Sequence, residues 1–290
     1  MHRKNFHIVP HEAVFGAFLV ITWIRLIIAS GPWSSSSLFY MALILIEIGL
    51  IAYAERHPTT AATRIRLLFF AVTMNLVFPQ MRTAIPMIHP EKMDVWLQSI
   101  DRALIGTDIS VYLERCIRPG LTEALSFCYM LFFPYLLFSL LWYLFDRVSL
   151  AKIFYAGLFT VYGIGFLGYS LVPAEGPYLA MADHLHTPLA GGILTRINSA
   201  LVLAGSNRVD VFPSLHCAVS CYFLLFDWRH KRWRFYGYVV PCIGLWAATL
   251  YLRYHYLIDV IMGFLLAAVG LIVAAFYERE VKRHEQNPVL

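Results

Sequence analysis

Apolar residues in this chain gather in long unbroken runs, where a soluble helix would show a stripe and a soluble strand an alternation. Runs near 13–29, 38–54, 121–145, 151–172, 235–252 and 256–277 are each long enough to cross the ~30 Å hydrocarbon core of a bilayer as a helix. Two weaker runs, near 65–79 and 214–227, bring the expected number of spans to eight. Between them stand residues that end helices: Gly31-Pro32, His57-Pro58, Pro173, Pro213 and the charged block Asp227 to Arg234. The pattern predicts an all-α fold, a polytopic transmembrane helical bundle.

Two longer connections interrupt the runs, 80–120 and 173–213. In the first, Met93, Trp96, Leu97, Ile100 and Leu104 recur at helical spacing, with Asp94, Gln98, Asp101 and Arg102 between them. That spacing predicts an amphipathic helix over 91–105, lying on the membrane surface or packed on neighbouring elements.

Composition strengthens the membrane reading. Hydrophobic residues make up 59% and charged residues only 14%, at a mean hydropathy of +0.64, where soluble domains carry about 25% charged residues. The excess apolar surface faces lipid. A formal net charge of +5 could suggest nucleic acid, but the basic residues sit in short clusters between the apolar runs, so no nucleic-acid partner is expected. Eight crossings put both termini on one side, and the connections on that side hold most of the Lys and Arg, among them Arg3, Lys4, Arg229, Lys231, Arg232 and Arg234. The positive-inside rule makes that side cytoplasmic and turns 80–120 and 173–213 toward periplasm, lumen or exterior. Arg3 and Lys4 ahead of Ala13 to Ala29 resemble a secretory signal, but no small-residue cleavage site follows, so the run is read as an uncleaved first span. Cys116, Cys128, Cys217, Cys221 and Cys242 form no CxxC pair and are read as small packing residues.

Ionisable side chains at membrane depth are costly and invite a functional reading. Glu47 in the second run is expected to be internally hydrogen-bonded, with Arg25 of the first as its partner. His11, His57, His89, His230 and His284 are expected to be solvated. The residues of interest are His216, His255 and Asp259. His255 and Asp259, four apart, stack on one helix face, where a carboxylate can hold one ring nitrogen and leave the other free to act as a nucleophile or base. His216 follows Pro213 and Ser214, a helix N-terminus that favours an anion such as phosphate, to which Ser214 could add a hydroxyl. Between His216 and His255 lies one passage across the bilayer and one back, with Asp227 to Arg234 as the turn, so both histidines return to the same face. A nucleophilic histidine with a second, proton-donating histidine is what phosphoryl transfer through a phosphohistidine requires, and Arg253, Arg82 and Arg208 are the candidate holders of the phosphate oxygens.

Phe212-Pro213-Ser214-Leu215-His216 and the stretch Tyr251 to Val260 resemble the second and third signature motifs of the type 2 phosphatidic acid phosphatase superfamily. The resemblance is closest to the branch containing inositol phosphorylceramide synthases and sphingomyelin synthase-like enzymes. It implies a six-helix core, His255 as nucleophile, Asp259 as the residue that orients it, and His216 as leaving-group acid. Departures from the phosphatase pattern are also present: Leu215 replaces a glycine, Thr249 occupies the position of an arginine, and no lysine followed by Arg-Pro precedes the motif, Arg118-Pro119 being a partial echo. Pro173 to Pro177 resembles the proline-rich loop of the synthase-like branch, and Met81 to Pro86 its upstream arginine segment.

The division expected is 1–64 as N-terminal spans, 65–277 as a catalytic membrane domain and 278–290 as a cytoplasmic tail. The expected substrate is a lipid phosphate, joined in a transferase by a hydroxyl acceptor lipid or polyol; no metal or cofactor is required by these residues. Three other readings stand beside this one. A dihaem carrier would hold its histidines within the bundle, a zinc hydrolase would need Cys217 on the side of His216, and a transporter or scaffold would need neither histidine.

Overall fold

The computed structural model describes residues 8–286. Arg3 and Lys4 of the charge pattern, the end of the expected tail and the side chain of His284 lie outside the described residues. Among the described residues every regular element is a helix. The long ones are α1 Pro10–Ser30, α2 Ser35–Arg56, α3 Thr60–Ile88, α4 Asp94–Ile105, α5 Pro119–Met130, α6 Phe132–Phe145, α7 Val148–Leu171, α8 Ile193–Gly205, α9 Leu215–His230, α10 Arg232–Tyr251 and α11 Leu257–Gln286.

Six helices among the described residues are long and apolar enough to cross a membrane: α1, α2, α3, the continuous pair α5–α6, α7 and α11. The chain is a polytopic helical membrane protein. Of the eight expected spans six qualify, and those at 214–227 and 235–252 do not. The run at 65–79 extends to a 29-residue helix and qualifies, whereas α9 has 16 residues and α10, with 20, opens on Arg232 and Arg234. Helices α9 and α10 pack against each other, α9 also against α11 and α10 against α5, and α10 leaves Tyr236, Val240 and Ile243 exposed. The break between α5 and α6 falls just before Pro134, whose missing N–H and ring cannot continue the helical ladder.

Helix α7 is the axis of the bundle. It is apolar on every side, its spanning window is 83% buried, and it packs against α1, α3, α6, α9 and α11. Close packing depends on glycine: a Cβ at Gly157 would stand 2.6 Å from the Gly270 carbonyl oxygen of α11, and one at Gly168 would stand 2.4 Å from the Pro213 ring ahead of α9. Leu215, the departure from the glycine of the family motif, is accommodated by Gly165, where a Cβ would meet Leu215 Cδ2 at 2.5 Å.

Two expectations about charged residues are corrected. Arg25 does not pair with Glu47: its Nη1 donates to the Ser170 carbonyl and hydroxyl of α7 at 3.2 and 3.0 Å, while Glu47 lies over Gly16. The lack of a side chain at Gly16 gives the carboxyl its room. His11 is not solvated but fully buried, edge-on to Phe70 at 4.6 Å, beside a Glu12–Arg66–Glu55 ion-pair chain that joins α1, α2 and α3. The block Asp227 to Arg234, the expected turn, contains a buried pair: Arg234 Nε donates to both Asp227 oxygens at 3.0 and 3.1 Å, and Tyr135 and Tyr143 of α6 donate to the same carboxylate.

Candidate active site

The turn from α10 to α11 and the start of α9 meet at one end of the bundle. Arg253 closes that turn in the left-handed region at φ 66°, which costs an L-residue about 1–2 kcal/mol. Surrounding bonds hold it there: the Thr249 carbonyl accepts from both Tyr254 and His255 amides at 3.0 Å, and the Arg253 carbonyl accepts from the Tyr178 amide at 2.8 Å. His255 is thereby fixed at the last step before α11, with 3% of its surface exposed.

Asp259, one turn into α11, is fully buried. Its Oδ2 accepts from the Tyr256 amide at 2.8 Å and stands 3.5 Å from His255 Nδ1, an ion-pair separation that leaves Nδ1 without a hydrogen bond. The Asp259 carbonyl accepts from the Ser214 amide at 3.0 Å, which ties the start of α9 to α11. That tie brings His216 to His255: the two rings meet edge to face with centroids 5.9 Å apart. His216 stands among Tyr129, Phe132 and Phe133, its Nδ1 3.5 Å from the Tyr129 hydroxyl and its Nε2 buried without a hydrogen bond. Burial, opposed by Asp210 and a backbone bond with Val211, pushes the His255 pKa down to about 4, so its ring is neutral near pH 7.

The phosphate-binding candidates are distributed differently. Ser214 is buried as the N-cap of α9, its hydroxyl accepting from the Cys217 amide at 3.4 Å. Arg253 is engaged elsewhere: Nη2 donates to Glu114 at 3.0 Å and to the Thr187 carbonyl at 2.5 Å. Arg82 is exposed on α3. Arg208, also in a left-handed conformation, lies in the 206–213 segment that carries Asp210, with no side-chain ion pair among the described residues. Thr249, where the family pattern has an arginine, is fully buried, its hydroxyl donating to the Trp246 carbonyl at 2.7 Å.

What the apolar spacing of α4 hid is the work of its acidic residues. Asp94 accepts from the Glu175 and Gly176 amides at 3.1 and 2.9 Å and from the Tyr256 hydroxyl at 2.9 Å. Gly176 has to be a glycine there, with φ at 88° and the Tyr254 carbonyl oxygen 2.6 Å from where a Cβ would stand. Asp101 accepts from the Leu257 and Ile258 amides at 2.7 and 2.9 Å, capping α11 from outside the helix. Helix α4 is thus packed on its neighbours, with Leu97 buried and Val95 and Trp96 exposed.

Beside His216 a cavity of about 210 Å³ opens between α3, α5, α6, α7, α8 and α9. Its walls are apolar and aromatic, including Phe78, Phe132, Phe166 and Leu201, and Asp210 and Ser206 supply polar atoms.

A family model described as the PAP2 superfamily matches residues 95–273, well over half of the chain, from α4 into α11. The chain belongs to the PAP2 superfamily. No curated protein and no solved structure matches it. Membership in the PAP2 superfamily makes it, in general terms, a lipid enzyme of the phosphatase or phosphotransferase type. The matched stretch excludes α1, α2 and α3, so Arg82 lies outside the segment shared with the family.

Proposed function

We propose that this PAP2 superfamily protein transfers the phosphoryl headgroup of a membrane lipid to an acceptor hydroxyl through a phosphohistidine on His255. The observation that carries this reading is the pair of rings, His255 buried and His216 half-buried, 5.9 Å apart, with His216 Nε2 unbonded beside a cavity lined by apolar side chains.

In the first step His255 Nε2 attacks phosphorus while the bond from phosphorus to the lipid oxygen breaks. Burial pulls the His216 pKa down to about 3; the anionic phosphate opposes that shift on entering, and His216 then gives its ring proton to the departing oxygen. Positive charge grows on the His255 ring, and Asp259, 3.5 Å from Nδ1, stabilises it. In the second step the acceptor oxygen attacks phosphorus, the P–N bond breaks, and His216 takes the acceptor proton back. Both histidines return to their starting states, and these steps call for no metal. The cavity suits a lipid chain, whose scissile phosphate would then lie at the histidine end. By the charge pattern that end faces away from the cytoplasm.

Transfer is favoured over simple hydrolysis by the likeness of Phe212 to His216 and Pro173 to Pro177 to the synthase-like branch, the one containing inositol phosphorylceramide and sphingomyelin synthase-like enzymes. It is also favoured by the scarcity of cations at the histidines, since Arg253 is engaged by Glu114 and a buried threonine stands at 249. A phosphodiester, with one negative charge, needs less neutralisation than a phosphomonoester or diphosphate. Hydrolysis of a lipid phosphate or isoprenoid diphosphate is the alternative, because superfamily members include phosphatases.

Detergent-solubilised wild type and His255→Ala, incubated with phospholipids and isoprenoid phosphates with and without ceramide, diacylglycerol or inositol, separate these readings by mass spectrometry. A His255-dependent product that requires an acceptor supports transfer. The same product formed with water alone supports the phosphatase, and turnover unaffected by His255→Ala refutes both.

A further inference from the structure

Asp210 is an unusual neighbour for a phosphate. It lies six residues before His216 on the segment between α8 and α9, and its carboxylate lines the same cavity wall as the His216 ring. The Ser206 hydroxyl binds Oδ1 at 2.9 Å, and Ser206 is itself fixed by the Arg208 amide at 3.0 Å. No other side chain among the described residues hydrogen-bonds the carboxylate, which its own backbone amide also reaches, so acceptor capacity remains on it. The opposite charges that reach it are those of Lys92 and of a protonated His255, although burial still holds its carboxyl above the usual carboxylate range.

A carboxylate beside a phosphoryl centre repels the phosphate and accepts hydrogen bonds from hydroxyls. Its placement therefore suits the partner that brings an O–H, which is the second substrate. We infer that Asp210 is the residue that receives the acceptor: a neutral molecule with at least two hydroxyl groups, one donating a hydrogen bond to the carboxylate and so aiming the other, attacking oxygen at the phosphorus on His255. This rests on the transfer reading above. In the second step the new P–O bond forms as the P–N bond to His255 breaks, and the acceptor proton goes to His216. Asp210 gains no proton and loses none; it positions the nucleophile and, by filling that position with an organic hydroxyl, disfavours water.

The test compares wild type, Asp210→Asn and Ser206→Ala in detergent micelles holding a labelled phospholipid donor, titrated with ceramide, diacylglycerol and inositol. The variants first have to retain the wild-type thermal transition. Loss of a charge-assisted hydrogen bond to a substrate hydroxyl is expected to cost on the order of tenfold or more. Asp210→Asn should therefore raise the acceptor KM about tenfold and lower the ratio of transfer product to hydrolysis product by a similar factor, without a matching rise in donor KM. Ser206→Ala should move both in the same direction by less. An unchanged ratio, or donor and acceptor parameters worsening together, overturns the assignment. So does the lack of added product with any hydroxyl acceptor. Donor cleavage that survives His255→Ala would instead remove the transfer reading itself, so the two failures are distinguishable.

Discussion

His255 brings together the local constraints of the site: an arginine before it in a left-handed conformation, a threonine carbonyl holding its amide, and a carboxylate one turn later. Replacing it with alanine removes the nucleophile of the proposed reaction, so lipid turnover should fall by at least about 10³-fold. His216→Ala and Asp259→Asn should also be severely impaired in the same assay, while near-normal turnover in any of the three would contradict its proposed role. Protonation gives a second handle. An ordinary histidine loses its nucleophilic free base below pH ~6.5, whereas burial lowers His255 to about 4. Because the free base is the reactive form, the acid limb that His255 contributes to single-turnover phosphorylation should lie near pH 4, separate from the limb of the acid His216, which His216→Ala should remove. A limb centred near 6.5 would show that the ring is solvated.

At the scale of elements, α4 acts as a clamp across the site. Asp101 satisfies two of the amides that the first turn of α11 leaves open, and Asp94 holds the 175–176 backbone against Tyr256. Losing such a cap costs about 0.5–2 kcal/mol, and here the loosened turn carries His255 and Asp259. Asp101→Ala should lower kcat by roughly tenfold with little change in donor KM, as expected for loss of positioning; an unchanged kcat would reduce α4 to packing. At the other end of α9, Arg234→Leu would strand the buried Asp227 carboxylate, a loss of about 3–5 kcal/mol, and the thermal transition in detergent should drop by several degrees or more. Much of this architecture was legible in sequence. The apolar runs announced the spanning helices, because lipid demands continuous apolarity, but not α8, which lies inside the expected 173–213 connection; the His255–Asp259 spacing announced a shared helix face. Relations across the bundle were not legible. No periodicity links Asp101 to the amides at 257 and 258, Asp94 to Gly176, or Arg234 to two tyrosines of α6, since each pair is joined only when distant helices pack. The partner of Arg253 was hidden for the same reason: its nearness along the chain to His255 says nothing of Glu114, which it meets in space.

The whole molecule is a bundle around the buried helix α7, with the histidines, Asp210 and the aromatic cavity at one end and the Glu12–Arg66–Glu55 chain at the other. Its proposed orientation can be read from a native residue. Cys116 is exposed in the connection that leads to α5, at the histidine end. In a variant retaining Cys116 as its single cysteine, a membrane-impermeant maleimide added to intact cells should label it if that end faces outward; labelling only after permeabilisation would reverse the topology. The central claim is the covalent step, and its most direct test is to trap it. Wild type, His255→Ala and His216→Ala are mixed with a phospholipid donor in the absence of acceptor, quenched in alkali within the first turnover to preserve phosphohistidine, and mapped by peptide mass spectrometry. The account predicts a phosphoryl-bearing adduct on His255 in wild type, none in His255→Ala, and markedly slower formation in His216→Ala. Lipid cleavage at the wild-type rate with no adduct on His255, or an adduct on another residue, would contradict it.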